Sequence, residues 1–218
     1  MSNAELYDAA RRRIGELVAD GDVDAPVTAC PGWTVKDVVA HLAGGLGDFL
    51  AQRFDGVESG EWGERQVRQR REQSVRESLD EWDSNRRNAG DLFDSPMGPV
   101  LITEVISHEH DIRAAFNRPG ERDNTAVRAA LTRPLQELDK RLRAEGLPAL
   151  RIELEHGPRI LGEGDSAGAL RVSAFELLRA ISGRRSDGQI RALDWDGDPE
   201  PWLGVLSLFG GSRQALAE

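Results

Sequence analysis

The sequence predicts an α+β protein, with an N-terminal up-and-down four-helix bundle followed by a small α/β domain. Two observations lead to this prediction. Up to about residue 145, apolar residues recur at the spacing of amphipathic helices, and the links between these helices are short. After Gly146 the spacing changes to an alternation of period two, which is typical of half-buried strands. We therefore expect residues 1–145 to form the helical bundle and residues 146–218 to form the α/β domain.

The charge and composition of the chain limit its partners. It has 28 lysines and arginines against 38 aspartates and glutamates, which gives a formal net charge of −10. Nucleic-acid binding needs a basic face, so we expect none, and the locally basic run at 65–76 predicts a solvated helix face. The sequence has no apolar run long enough for a membrane span and no secretory signal. A single cysteine, Cys30, favours a reducing compartment, so we expect a soluble, cytoplasmic protein that acts on small molecules.

The first helix is predicted near the N-terminus. Its apolar residues recur at helical spacing: Leu6, Ala10, Ile14, Leu17 and Val18. The turn-forming residues of the segment 20–22 end this helix, and a loop with two prolines follows over 25–32. This loop leads directly into the second helix of the bundle.

The second helix has a well-defined start. Thr34 is a good N-cap and Asp37 lies at the third helical position, which is a variant of the capping box. Trp33 and Val38 occupy the two positions of a hydrophobic staple. The apolar residues of the helix make one broad stripe, formed by Val35, Val38, Val39, Leu42, Leu46, Phe49 and Leu50. His41 borders this stripe, and we expect the glycines at 44, 45 and 47 to leave room beside it for an ion and a substrate.

Three more helices complete the prediction for the first domain. A third helix carries the apolar residues between 75 and 93, and the proline-rich segment 95–99 separates it from the next helix. The fourth helix runs from Leu101 to Phe116. A fifth, between residues 127 and 142, is kinked or restarted at Pro134.

The second domain is predicted to combine strands with short helices. The segment Leu150–Glu155 alternates apolar and polar residues, as a half-buried strand does. Ser173 and Glu176 form a capping box at the start of a helix that ends at Ile181. The other predicted elements are strands at 159–161, 170–172 and 189–195, a loop at 183–188, and an apolar tail over 201–209 that packs back on the sheet.

Glu104 and His108 are the first candidates for a functional site. On a helix, residues four apart lie on one face with Cβ atoms about 5–6 Å apart, so these side chains can bind one metal ion. A simple hydrogen-bonded pair is the alternative that this spacing leaves open. Three points favour the metal. Both residues border an apolar face, where an unpaired carboxylate is costly, and His41 borders the apolar face of another helix. Asp111 can also orient the imidazole of His108. Two histidines and one carboxylate with an open position are typical of catalytic zinc.

The other reactive side chains are weaker candidates. His110 is rotated by about 200° from the histidine two residues before it, and His156 is expected at the surface of the second domain. Cys30 can act as a thiolate nucleophile, but no histidine lies near it in sequence, which favours a half-buried loop position without a role in catalysis. Arg184 and Arg185 follow a predicted helix. Their place favours neutralisation of its C-terminus, and recognition of a substrate carboxylate is the alternative.

Three motifs resemble those of a known family. The segment Cys30–Leu42, CPGWTVKDVVAHL, is similar to the first motif of the DinB-like mycothiol-dependent maleylpyruvate isomerase family. The segment Glu104–Ile112, EVISHEHDI, resembles the second motif, and Arg184–Ser186 resembles a loop of the C-terminal domain. The resemblance spans nearly the whole chain, and it implies a metal-binding, DinB-like four-helix bundle followed by a small α/β domain.

The resemblance implies a site as well as a fold. The metal ligands of the family fall on His41, Glu104 and His108. Its substrate-contacting arginine falls on Arg184 or Arg185, and we expect that residue to face the metal cleft. The implied activity is that of an enzyme with zinc, or another divalent metal, and with mycothiol or a similar small thiol as cosubstrate. The ion lowers the pKa of the thiol, and the thiolate reacts with a small electrophilic or carboxylate-bearing substrate, as in an isomerase or an S-transferase.

The sequence leaves two other functions open. A metal-dependent hydrolase would use the same ligands to activate water, and a non-catalytic metal- or ligand-binding protein would hold a structural metal or none. A closed site with four protein ligands would favour the binding protein, and an open position in a cleft favours an enzyme. The polar stretch 55–73 matches no motif of the family, and we expect it to shape a different pocket.

Overall fold

The computed structural model describes residues 1–207 and 215–216 of the chain. Within these residues the fold is α+β, as predicted, with helices first and a four-stranded sheet with short helices after them. The α-helices are α1 Asn3–Ala19, α2 Val35–Leu50, α3 Glu61–Gln69, α4 Val75–Arg87, α5 Gly98–Ala115, α6 Thr125–Ala130, α7 Thr132–Ala144, α8 Ala174–Ile181, α9 Asp187–Arg191 and α10 Glu200–Leu206. The strands are β1 Pro148–Leu154, β2 Gly157–Leu161, β3 Glu163–Arg171 and β4 Asp194–Asp196. No helix among the described residues is both long and apolar enough to cross a membrane.

The chain divides into two compact units, Met1–Gly120 and Glu121–Glu218. The sequence places the end of the helical domain at residue 145, where helices give way to strands. That change falls inside the second unit, because α6 packs against α8, and α7 packs against β2 and α10. A domain boundary at residue 145 therefore stays a prediction.

The first unit is a bundle of α1, α2, α4 and α5. Helix α1 packs against α5, and α2 packs against α3, α4 and α5. The start of α2 is as predicted, because Thr34 accepts a hydrogen bond from the backbone N–H of Asp37 and the Asp37 carboxylate accepts one from the backbone N–H of Thr34. The predicted apolar stripe of α2 is buried from Val35 to Leu46, and three other helices cover it.

The third predicted helix is shorter than expected. Helix α4 ends at Arg87, and residues Gly90–Asp94 form a separate 3₁₀ helix that buries Phe93. The break lies at Gly90, whose φ of 48° is in the left-handed region and cannot continue a right-handed helix. Trp82 and Phe93 of the predicted helix are both buried in the core, but they belong to two elements.

The polar stretch before α4 contains a helix of its own. Trp62 and Gln66 are four residues apart on α3 and are both buried, and α3 packs on α2. The basic run at 65–76 is only in part a solvated helix face, because the Arg70 guanidinium is half-buried and donates to the Glu81 carboxylate, with Nε and Oε2 3.0 Å apart. One tryptophan and one glutamine therefore make the buried face of an otherwise charged helix.

The second unit contains a sheet with the strand order β2-β1-β3-β4. Strand β1 pairs with β2 as an antiparallel hairpin and with β3 in parallel, and β4 is antiparallel to β3. The alternating segment predicted as a strand is β1, in which Leu150 and Ile152 are buried. The strand predicted at 170–172 is only the end of β3, because the first half of β3 is exposed and polar and shows no hydrophobic alternation.

The strand predicted at 189–195 is wrong in its first half. Residues up to Arg191 belong to α9, and only Asp194–Asp196 pair with β3. Ser186 and Gln189 form a capping box, which starts a helix inside the segment 183–188 that the sequence leaves as a loop. Helix α9 is too short to show a hydrophobic period, since Ile190 is its one buried residue among those described.

The apolar tail forms α10 and packs back on the sheet, as predicted. The indole Nε1 of Trp202 donates to the carbonyl oxygen of Pro148 in β1 at 2.9 Å. A Cβ atom at Gly168 would lie 2.7 Å from the Trp202 ring, so this position in β3 requires glycine. Phe209, at the end of the predicted tail, lies outside the described residues.

A buried hydrogen bond between α1 and α4 gives a test of the bundle. The Trp82 Nε1 donates to the Tyr7 hydroxyl at 2.7 Å, and both side chains are buried. We expect Tyr7→Phe to lower the free energy of unfolding by about 1–3 kcal/mol, because the indole N–H loses its acceptor in the core. Urea unfolding followed by circular dichroism measures this change, and an unaltered unfolding midpoint would contradict the role given to the bond.

Candidate metal centre

The structure brings His41, Glu104 and His108 together where α2 and α5 pack. His41 Nε2 lies 3.6 Å from Glu104 Oε2, and His108 Nε2 lies 3.4 Å from the same oxygen. One potential ligand atom from each residue lies within 4.8 Å of those from the other two. The convergence is the one that the sequence predicts, with two residues one turn apart on α5 and the third on α2. Binding of an ion by this group stays a prediction.

A chain of hydrogen bonds fixes the orientation of the His41 ring. It starts at the Asp48 carboxylate near the end of α2, which Arg53 and Arg65 both contact. Because a carboxylate only accepts, the Gln66 side chain turns its NH₂ group to Asp48, at 2.9 Å, and its oxygen to the imidazole. That oxygen lies 2.7 Å from His41 Nδ1, so Nδ1 carries the proton and donates it. The Nε2 lone pair of His41 is left facing α5.

The His108 ring is held in the same way from its other side. Its Nδ1 lies 3.0 Å from Asp111 Oδ2, one turn further along α5, and Asp111 is buried. Nδ1 therefore donates to this carboxylate, which is the contact that the sequence leads us to expect of Asp111. Both histidines then present Nε2 to one oxygen of Glu104.

Acceptor atoms that face one another need a positive charge between them. Burial disfavours the charged form of His108, but its hydrogen bonds to Asp111, Cys30 and Glu104 together outweigh burial and raise its pKa well above the ordinary value. Burial likewise opposes ionisation of Glu104, but the hydrogen bonds with His108 and His41 outweigh it and hold the Glu104 pKa well below the ordinary value. A proton on His108 can supply the charge, and a divalent cation fits this donor set because it can contact all three atoms at once.

Gly44 and Gly47 of α2 leave no open space beside the helix, so the expectation is wrong for these two, and Gly45 lines only a small cavity that touches His41. A Cβ atom added at these positions would meet Arg70 at Gly44, Trp62 at Gly45 and Asn85 at Gly47, at distances of 2.5, 3.4 and 3.0 Å. These side chains come from α3, the turn after it, and α4. The missing side chains of α2 therefore allow close packing of the protein itself.

Aromatic rings and a small cavity adjoin the three residues. Trp33, in the loop before α2, lies 5.1 Å from His41 between ring centroids, and Trp62 lies 5.7 Å away at a right angle. A cavity of about 20 Å³ touches His41 and Glu104, and its other walls are Tyr7, Leu42, Gly45, Leu46, Phe49, Trp62 and Leu101. It has room for about one water molecule. The Glu104 side chain is 36% exposed, so the group can be reached from solvent.

Cys30 lies much closer to these residues than its position in the sequence indicates. Its sulfur is 3.6 Å from Asp111 Oδ2 and 4.0 Å from His108 Nδ1. Cys30 is half-buried in a loop, as expected. No histidine lies near it in the sequence, but folding brings His108 of α5 to this loop. The thiol donates to the carboxylate that orients His108, and Cys30, His108 and Asp111 make a second group of potential metal ligands.

The two arginines of the second unit have partners within that unit. Arg185 binds Glu176 with both arms of its guanidinium, from Nε to Oε2 at 2.8 Å and from Nη2 to Oε1 at 2.9 Å. Arg184 Nη1 donates to the carbonyl oxygen of Ser182 just after α8, at 2.6 Å, which agrees with neutralisation of a helix C-terminus. Contact of either arginine with a substrate stays a prediction. His156 is exposed in the turn between β1 and β2, as expected.

The sequence missed two residues that act on His41, Gln66 and Trp62. The signal that could have found them is their spacing of four residues within a polar stretch, which places them on one face of a helix. His110 is buried on α5 and belongs to neither group of potential metal ligands among the described residues, which agrees with its expected orientation away from His108.

Comparisons with known proteins agree with the fold and the motifs. Residues 4–178 match the family described as the mycothiol maleylpyruvate isomerase N-terminal domain. The chain is similar to the crystal structure of a His-to-Ala mutant of the mycothiol-dependent maleylpyruvate isomerase, with a TM-score of 0.56 and 15% identity over 85% of this chain and 89% of that chain. A crystal structure of the mycothiol-dependent maleylpyruvate isomerase gives a TM-score of 0.51 and 12% identity, over 84% and 88% of the two chains. At these identities the structures show a shared fold, and no curated protein matches the chain.

The orienting role of Gln66 can be tested by its removal. We expect Gln66→Met to weaken zinc binding by about 10- to 100-fold, because the His41 ring loses the acceptor that fixes its tautomer. Titration of zinc against a competing chelator measures the affinity, and circular dichroism checks that the helices are kept. Gln69→Met, an exposed position on the same helix, is the matched control. Equal zinc affinity in the two variants would contradict the role.

Proposed function

The chain belongs to the family of the mycothiol maleylpyruvate isomerase N-terminal domain, and on this premise we propose that it is a metal-dependent enzyme that uses a low-molecular-weight thiol. The proposed metal is zinc or another divalent ion, and the proposed thiol is mycothiol or a similar compound. The proposed reaction is isomerisation, or transfer of the thiol, on a small electrophilic or carboxylate-bearing substrate. The names of the two similar crystal structures favour isomerisation.

One observation carries this proposal: both histidines have Nδ1 engaged by an acceptor and direct Nε2 at the same Glu104 oxygen. Histidines that bind a metal with one ring nitrogen commonly donate the N–H of the other to a nearby acceptor, which fixes their tautomer. Two imidazoles and one carboxylate leave a position open in a tetrahedral site, and the partial exposure of Glu104 gives access to it. When bound, a divalent ion would act there as a Lewis acid that lowers the pKa of a thiol.

The residues of the chain have separate tasks in this proposal. Gln66 and Asp111 hold the two imidazoles so that their lone pairs stay aimed at one point. Trp33 and Trp62 pack against the His41 ring and hold it in place. In an isomerisation of this kind, a thiolate adds to a conjugated alkene, the former double bond rotates, and the thiol leaves again. In a transfer, the thiol stays attached to the substrate.

The small cavity beside Glu104 favours a second candidate function, that of a metal-dependent hydrolase. Its volume of about 20 Å³ suits one water molecule in contact with His41 and Glu104. The two candidates differ in their need for a thiol. We expect the purified, zinc-loaded protein to isomerise maleylpyruvate only when mycothiol is added. Consumption of maleylpyruvate at the same rate without any thiol would contradict the proposal, and hydrolysis of the substrate under these conditions would favour the hydrolase.

The metal ligands can be tested apart from activity. We expect His41→Ala to lose stoichiometric zinc and to keep its helices, because α2 is packed by its apolar stripe and not by this ring. Elemental analysis of the purified protein measures the zinc content, and circular dichroism measures the helices. His156→Ala, which removes an exposed histidine of the second unit, is the control and should keep the metal. Zinc retained by His41→Ala would show that the ligand was chosen wrongly.

An arginine for the substrate carboxylate is the third part of the proposal. We expect the double variant Arg184→Ala/Arg185→Ala to lower kcat/KM for a carboxylate substrate at least about thirtyfold, because removal of one partner of a buried charge pair costs roughly 2 kcal/mol or more. A neutral electrophile should be affected much less.

Arg185 also binds Glu176, so Glu176→Gln is needed as a control for the loss of that ion pair. If Glu176→Gln alone reproduces the loss, the effect is one of stability. Full activity of the double alanine variant would exclude both arginines from substrate binding.

A further inference from the structure

A groove of the second unit lies between α6–α7 and the β1–β2 hairpin. Its volume is about 540 Å³, and residues from α6, α7, β1 and β2 line it. Pockets that bind small molecules have volumes of roughly 300–1,000 Å³. None of the lining residues belongs to the candidate metal centre, so the proposed function gives this groove no task.

The floor of the groove is apolar. It is formed by Leu131, Leu135, Leu154, Leu161 and Ala174. Ile160 also lines it and is 57% exposed, which makes it one of the most exposed large apolar residues among those described. Leu135 and Leu154 of the floor are half-buried, so part of the apolar lining stays open to solvent.

The rim of the groove is positively charged, although the chain as a whole has a net charge of −10. Arg128, Arg143, Arg159 and His156 line it, together with one acid, Asp139. The Asp139 carboxylate already accepts hydrogen bonds from Arg143 Nε at 2.9 Å and from the Gly162 backbone N–H at 2.8 Å. These two bonds, that of Arg143 first, hold its pKa below the ordinary value. The negative charge on the rim is therefore balanced within the chain.

Two rim arginines keep most of their charge available. Arg159 is exposed and donates to the carbonyl oxygen of Pro158 at 3.0 Å, and it forms no ion pair with a carboxylate of the described residues. Arg128 Nη1 lies 3.2 Å from Asp123 Oδ1, and the Asp123 side chain is 85% exposed. An ion pair at the surface contributes little binding free energy. A guanidinium beside an apolar floor suits a ligand with an anionic head and an apolar body.

We propose that this groove binds a small organic anion, a carboxylate or sulfonate carried on an apolar body. The body lies on the leucine floor, and the anionic group lies against Arg128 and Arg159. The charge of the rim selects the anion over a neutral or cationic compound of the same shape. This inference is independent of the metal centre, and it assigns the second unit a binding site of its own.

The test uses the full chain and anilinonaphthalene sulfonate, a fluorescent aromatic anion. We expect saturable binding of one probe per chain, and displacement by octanoate but not by octylammonium. Arg159→Glu should weaken binding at least about tenfold, because it reverses a charge at the rim. Leu135→Glu, which places a carboxylate on the floor, should do the same. Both variants should bind zinc as the unaltered chain does, which separates this test from that of the metal centre.

Arg133→Glu is the matched control, because the Arg133 side chain on α7 is 43% exposed and does not line the groove. It should bind the probe within about twofold of the unaltered chain. Equal binding by Arg159→Glu and the unaltered chain would place the probe elsewhere and overturn the proposal. A second outcome would also overturn it. If the unaltered chain forms dimers, and of the variants only Arg159→Glu dissociates them, a second copy of the chain occupies the groove.

Discussion

The first unit depends on one electrostatic constraint, the approach of two imidazole nitrogens and a carboxylate oxygen where α2 and α5 pack. When the histidines are neutral, all three atoms are acceptors, so these groups cannot satisfy one another. The surrounding structure holds them together all the same. Gln66 and Asp111 fix the rings from outside, and Asp48 fixes Gln66. A polar helix and the end of α2 therefore aim the lone pair of His41, and Asp111 of α5 aims that of His108.

Residues with a recognisable helical spacing and a typical ligand chemistry could be predicted for this site, and a residue turned inward by packing alone could not. Glu104 and His108 follow from helical spacing alone, and His41 is the one histidine that another bundle helix offers. Gln66 lies 25 residues from His41, and only the packing of α3 on α2 turns it inward. The glycines of α2 show the same limit, because the sequence indicates a close approach and does not say which side chain makes it.

The fold class could be predicted because hydrophobic period is a property of each segment by itself. The prediction failed where that period is absent. Helix α9 has five residues, and its capping box was the one local sign of a helix. The first half of β3 is polar and exposed, and it is a strand because its backbone pairs with β1. The division into units at residue 120 depends on contacts between distant segments, which no local pattern contains.

The filling of the space above Gly44 has an evolutionary consequence. The Arg70 guanidinium occupies the place where the Cβ of any larger residue at position 44 would lie, and Arg70 is itself bound to Glu81. A larger residue at 44 is accepted more easily if the residue at 70 becomes shorter, and that change leaves the acid at 81 with Gln73 in place of its arginine partner. Substitutions at these three positions are therefore expected to occur together among homologues, as a set that is inherited or exchanged as a whole.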